Sequence, residues 1–253
     1  MKSRNLLLCL FILFFITSCS SDDNPSNDDN QNNETLKLYK KSELVTEGVP
    51  FLVEEVFYNQ DSTINKIEVN EEGYVNRTFN VTYSENNIIE IDRISDYYSF
   101  PDTSINYNNI TISDSSIILV STNSDKTLEI YHSNGYVDST RLYSTSNPNN
   151  VFDQTFSRNS NDQLISNESG EIFHYSNFDI DKKLDPFGSV MEYEHGIYFL
   201  LFGLSVTKNN PLTSTVQGQS YDSNLEYDED GYVVQVSYGQ NSSFYITHQY
   251  INQ

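Results

Sequence analysis

Tryptophan is absent from this 253-residue chain, and cysteine occurs only at Cys9 and Cys19. Neither position can supply a disulfide, a thiol nucleophile or a cysteine metal site to the rest of the chain. A fold made in an oxidising compartment then rests on its core alone. Without tryptophan, any sugar-stacking platform has to be built from tyrosine. Basic residues are also few: 14 Lys and Arg stand against 36 Asp and Glu, a net charge of −22. That balance excludes nucleic acid as a partner, because binding it takes clustered Lys and Arg. It also makes a poor ligand for anionic headgroups. Long apolar runs are missing, since the longest, residues 6–16, has 11 residues, whereas a membrane-spanning helix needs about 20. The chain contains no G-x-S-x-G elbow, no glycine-rich phosphate loop and no H-E-x-x-H, which removes the local signatures of the commonest hydrolase, nucleotide and zinc chemistries.

The N-terminus carries an address. Lys2 and Arg4 precede the apolar run, as in a secretory signal peptide. Ile16, Thr17, Ser18 and Cys19 follow it, and this stretch resembles the lipobox of bacterial lipoproteins. The resemblance implies cleavage after residue 18, diacylation of the Cys19 thiol and acylation of its new amino group. Two or three acyl chains give the stable anchoring that one chain does not. Cleavage would remove Lys2 and Arg4, leaving 12 basic against 36 acidic side chains, −24. Residues 20–35, SSDDNPSNDDNQNNET, have nothing to bury, and their composition predicts a disordered tether. Ser20, Ser21, Asp22 and Asp23 resemble the acidic export signal of Bacteroidota lipoproteins, which implies the outer face of the outer membrane. The alternative is a plain spacer on a lipoprotein facing the periplasm.

Beyond the tether, residues 36–253 read as one domain. Hydrophobic residues make up 37% of the chain, but 19 Tyr and 15 Phe compensate, since each aromatic ring buries a large area. Period-2 alternation recurs throughout. In residues 64–70, Ile67 and Val69 face one way and Lys66, Glu68 and Asn70 the other. Residues 127–131 and 234–238 repeat the pattern, which is that of strands with one wet face. Turn signals at Glu72-Gly73, Asn86-Asn87, Asn134-Gly135, Ser169-Gly170 and Asp230-Gly231 separate the runs. The expected fold is mainly all-β: a long antiparallel up-and-down meander of roughly 14 to 16 strands, forming a curved open sheet or a barrel-like structure. Residues 196–204, GIYFLLFGL, break the rhythm and predict one short helix, or two, over 189–204. A buried strand is the rival reading.

Three hairpin frames share one form: Val69 to Val75, Tyr131 to Val137 and Tyr227 to Val233, each with glycine followed by an aromatic and valine. Residues 182–187 (KKLDPF), 209–211 (NNP) and 226–232 (EYDEDGY) resemble Bacteroidota lipoproteins that carry a domain of unknown function with a porin-like fold. More distantly they resemble YD repeats. Asp185 departs from the asparagine usual in that family. The resemblance implies a curved antiparallel sheet, open or nearly closed, and carries no activity to any residue. A transmembrane strand needs apolar side chains along its lipid face, whereas the outward positions here are Lys, Glu, Asn, Gln and Ser.

Candidate sites are sparse. Glu192, Glu194 and His195 form the tightest acid–histidine cluster, and a solvated acidic loop explains it better than a zinc site does. Glu226, Asp228, Asp230 and Gly231 mimic the start of an EF-hand, but the twelfth position is Ser237 rather than glutamate. A hairpin turn accounts for them. Asp28, Asn30 and Asn32 alternate similarly within the tether. Tyr107, Tyr136, Tyr232 and Tyr245 are the candidate ligand-stacking residues, with cross-strand packing as their other explanation. No cofactor is expected and no catalytic residue stands out. The chain reads as a non-enzymatic binding or scaffold module, anchored to the membrane through Cys19, with a glycan, peptide or outer-membrane protein as partner. An envelope hydrolase using scattered carboxylates is one alternative. A cell-contact protein pairing through exposed strand edges is another.

Overall fold

The computed structural model describes residues 37–72, 75–97, 100–169, 172–180, 182–183, 195–239 and 243–252. The signal segment, Cys19, the export residues 20–23 and the rest of the tether lie outside them, as do Glu192 and Glu194.

Among the described residues sixteen strands follow one another up and down. The first eight are β1 (Lys37–Thr46), β2 (Val49–Tyr58), β3 (Ile64–Glu71), β4 (Val75–Ser84), β5 (Asn87–Tyr97), β6 (Phe100–Ile112), β7 (Ser116–Ser121) and β8 (Thr127–Ser133). The next four are β9 (Tyr136–Ser144), β10 (Asn147–Arg158), β11 (Leu164–Glu168) and β12 (Ile172–Asp179). A six-residue helix, α1 (Gly196–Leu201), precedes β13 (Asn210–Val216), β14 (Gln219–Tyr227), β15 (Val233–Tyr238) and β16 (Phe244–Asn252). Each strand pairs antiparallel with its chain neighbours, and β16 pairs with β1. The meander therefore closes into a barrel. Closure removes the free strand edges that edge pairing would have used, which corrects the cell-contact alternative.

Local chemistry sets the hairpins. Glu47-Gly48, Glu85-Asn86, Asn134-Gly135 and Gln217-Gly218 each hold two consecutive residues at positive φ. That conformation matches the twist of the flanking strands, and Asn and Gly adopt it at little strain.

The inward face is apolar at one end of the barrel. Ile67, Ile91, Leu119, Leu128 and Ile130 are fully buried there. Sixteen strands enclose more space than wall side chains can fill, and α1 occupies it. Tyr198 meets Phe79 of β4 and Tyr107 of β6 edge-on, both at 5.8 Å, and Phe199 meets Phe156 of β10 at 6.0 Å. These are the edge-to-face geometries that aromatic quadrupoles favour. One and a half turns of helix do not form alone, so packing holds this one. Its end is a Schellman motif: Gly203 at φ 66° donates its N–H to Leu200 O, and Leu204 donates to Phe199 O. The predicted helix over 189–204 is thus confined to Gly196–Leu201 among the described residues, because Gly203 stops it.

The outward face is mainly polar, although Phe57, Ile94 and Ile118 also lie on it. Lys41 stands opposite Glu55, Glu55 opposite Glu68, and Glu68 opposite Thr78. Glu129, Arg141 and Asp153 form another outward row, with Arg141 Nε 3.6 Å from Asp153 Oδ1. Phe199→Ala is expected to lower unfolding free energy by about 3–5 kcal/mol. Asn70→Ala on the outer face should change it by less than about 0.5 kcal/mol. Urea unfolding followed by circular dichroism measures both.

Candidate functional site

One inward row departs from the apolar rule. His248, Ser42 and Glu54 are direct cross-strand neighbours on β16, β1 and β2. The row continues through Val69 on β3 and Arg77 on β4 to Ser95 on β5. Arg93 lies one inward position along β5 from Ser95, opposite Phe79. Ser42, Glu54, Ser95 and His248 are all buried.

Several atoms of this row have no partner. Ser42 Oγ, Glu54 Oε2, Arg77 Nε and Arg93 Nε are buried without a hydrogen bond. Each such atom costs about 1–3 kcal/mol. The Arg77 guanidinium is 3.9 Å from Glu71 Oε2, a loose ion pair. Among the described residues no carboxylate pairs with Arg93. Burial pushes the Glu54 carboxyl well above its ordinary range, only partly opposed by the charge of Arg77. Below the row, burial likewise raises the Tyr198 phenol far above its usual value, with Tyr107 and Arg93 beside it.

The opposite wall supplies a smaller polar group. Gln154 Nε2 donates to Asn167 Oδ1 at 3.0 Å, and Gln154 Oε1 has no partner. His195, next to α1, is buried with Nδ1 3.5 Å from Thr140 Oγ1 and its ring 5.9 Å from Phe152. Phe152 and Tyr221 point inward by alternation with Gln154 and Ser223, yet they are 40% and 43% exposed. Both lie toward the end of the barrel away from the chain termini.

The residues singled out from sequence are distributed differently. Tyr107 is buried against Tyr198 inside the barrel. Tyr245 faces outward opposite Ser237. Tyr136 packs under the Arg158 guanidinium. Tyr232 stacks on Tyr250 at 5.0 Å with Lys37 and Lys183 over its ring. These four do not share a surface. Asp228 and Asp230 bind Lys37 Nζ at 2.8 and 2.5 Å, and those hydrogen bonds push the ammonium above its ordinary value. Asp228 also accepts the amides of Asp230 and Tyr232. Here a lysine occupies the place that a calcium ion would take. Among the described residues no three metal-ligating side chains converge.

No family model and no curated protein matches this chain. Two solved structures are similar over 84% of its length and 98% of theirs: a porin-like protein from Bacteroides uniformis (9% identity, TM-score 0.39) and one from Bacteroides vulgatus (11%, 0.42). At that distance they carry no argument about activity.

Sequence reasoning missed Glu54, Arg77 and Arg93. The signal was phase: Glu54 shares the alternation of Leu52 and Val56, Arg77 that of Phe79 and Val81, and Arg93 that of Ile91. Because the folded chain retains a proton on Glu54 that the unfolded chain releases, stability falls as pH rises above the ordinary carboxylate value of 4.5. The loss grows by about 1.4 kcal/mol per pH unit until the folded-state value is passed. Glu54→Gln should therefore raise the Tm at pH 7.5 and leave it nearly unchanged at pH 4. Thermal denaturation at the two pH values checks this.

Proposed function

We propose that this protein is a lipid-anchored, non-enzymatic binding module of the bacterial cell envelope, with a barrel that stands in water rather than crossing a membrane. The observation that carries the reading is the polarity of the wall. Charged side chains such as Lys41, Glu55, Lys66, Glu68 and Arg141 face outward in mid-strand, while the interior at one end is apolar and filled by α1. A lipid-facing Lys or Arg at the bilayer midplane costs about 2–4 kcal/mol, and several would have to be buried at once. Anchoring then falls to acyl chains on Cys19, with Ser20 to Asp23 directing the domain to the cell surface.

The hydrolase alternative needs two acids placed about the scissile bond. Among the described residues Glu54 is the one buried acid. Two measurements test the binding reading. The wild-type chain should take up alkyne-tagged palmitate in cells and Cys19→Ser should not, while purified protein should add no conductance to a planar bilayer. Stepwise channel currents would overturn the reading. On intact cells, added protease should remove the domain; protection until lysis would place it on the periplasmic face.

A further inference from the structure

The interior row joins features that the binding reading leaves unassigned. Arg77 and Arg93 are diagonal neighbours on β4 and β5, since Arg77 opposes Ser95 and Phe79 opposes Arg93. Diagonal inward positions are within reach of long side chains, so the two guanidiniums can converge on one group. Each has a buried Nε with no acceptor. Glu71 lies at the far limit of ion pairing with Arg77, and no described carboxylate answers Arg93. Glu54, 4% exposed, and Ser42, fully buried, each present an unpartnered oxygen into the same row. Among the described residues, this row thus places two guanidiniums, Arg77 and Arg93, on adjacent inward positions of a chain whose net charge is −22.

We infer that the barrel interior holds a small organic monocarboxylate, its carboxylate on Arg77 and Arg93 and its compact apolar body against Phe79 and Val69. The side of a guanidinium that carries Nε presents two parallel N–H donors, which match a planar carboxylate. The Ser42 hydroxyl can donate to the same anion, and so can Glu54 when protonated, the form that its burial favours. Solvent-exposed Phe152 and Tyr221 mark the way in. This inference rests on reading the barrel as a binding module and names the ligand class.

The test uses the full lipidated chain in detergent micelles, with sodium hexanoate as probe followed by saturation-transfer NMR. Hexanol supplies the same body without charge, and inorganic phosphate supplies charge without the body. Hexanoate should bind saturably, and hexanol and phosphate at least tenfold more weakly. Arg93→Gln should weaken hexanoate at least tenfold, and Arg93→Lys, which keeps the charge but loses the paired donors, by an intermediate factor. An unchanged circular dichroism spectrum shows that each variant folds, and Arg77→Gln gives an independent second removal. Equal binding of hexanol, preference for phosphate, no saturable hexanoate signal, or wild-type affinity in folded variants at both positions would each overturn the inference. Palmitate labelling and bilayer conductance do not depend on hexanoate. A labelled, non-conducting chain that ignores hexanoate therefore loses only the ligand class, whereas channel currents remove the binding reading itself.

Discussion

The space inside a sixteen-stranded wall is wider than the wall's own inward side chains can fill. It must either hold water, which calls for polar inward residues, or be filled from elsewhere in the chain. Here Ile67, Ile91, Leu119, Leu128 and Ile130 point in, and the segment between β12 and β13 returns α1 into the interior to meet them. An apolar interior requires a polar exterior, and the period of two makes the requirement strict. A one-residue slip would move a strand's whole apolar set into water. Register shifts between Tyr39 and Lys41 and between Thr82 and Tyr83 insert extra residues into the wall. The inserted residues are Lys40 and Ile89, and on either side of them Tyr39 and Ser42, and Ile88 and Ile91, remain on the inner face.

Filling the barrel from within makes its assembly non-local. Tyr198 touches rings on β4 and β6, far earlier in the chain. Closure is more remote still, because the amide of Lys37 donates to the Tyr232 hydroxyl 195 positions away while its ammonium bridges Asp228 and Asp230. Contacts of such separation must overcome loop-closure entropy before they give any return, which places this topology among slow folders. The type I′ hairpins at Asn134-Gly135 and its counterparts offset part of that cost locally, by fixing neighbouring strands in register before the ends meet.

Much of the wall was legible in the sequence. Alternation at Ile67 and Val69, and the Asn134-Gly135 turn, identify strands and hairpins because backbone geometry imposes a period of two whatever the tertiary context. Closure was not legible, since nothing in β1 or β16 alone says that each is the other's neighbour. The helix was overextended in the sequence reading because GIYFLLFGL is uniformly apolar and its stop depends on the backbone conformation at Gly203. The interior row was missed for a different reason. Glu54 sits beside Glu55, and in a chain with 36 acids such a pair reads as a solvated face. Only the phase set by Leu52 and Val56 separates the buried acid from the exposed one.

That phase also bears on why the polar row exists. Four buried atoms without partners, at about 1–3 kcal/mol each, are a large fraction of the 5–15 kcal/mol that a domain normally has in hand. The wall does not require them. Val69 occupies the same row between Glu54 and Arg77 and is buried in the core, so the row accepts an aliphatic residue there. A barrel shaped by stability alone would repeat that valine at 42, 54, 77 and 93. Instead it keeps a hydroxyl and a carboxyl on β1 and β2 and two guanidiniums on β4 and β5, with Val69 between them. A buried polar network left half satisfied is worse for folding than an apolar one. A bound group that completed the row would offset that cost.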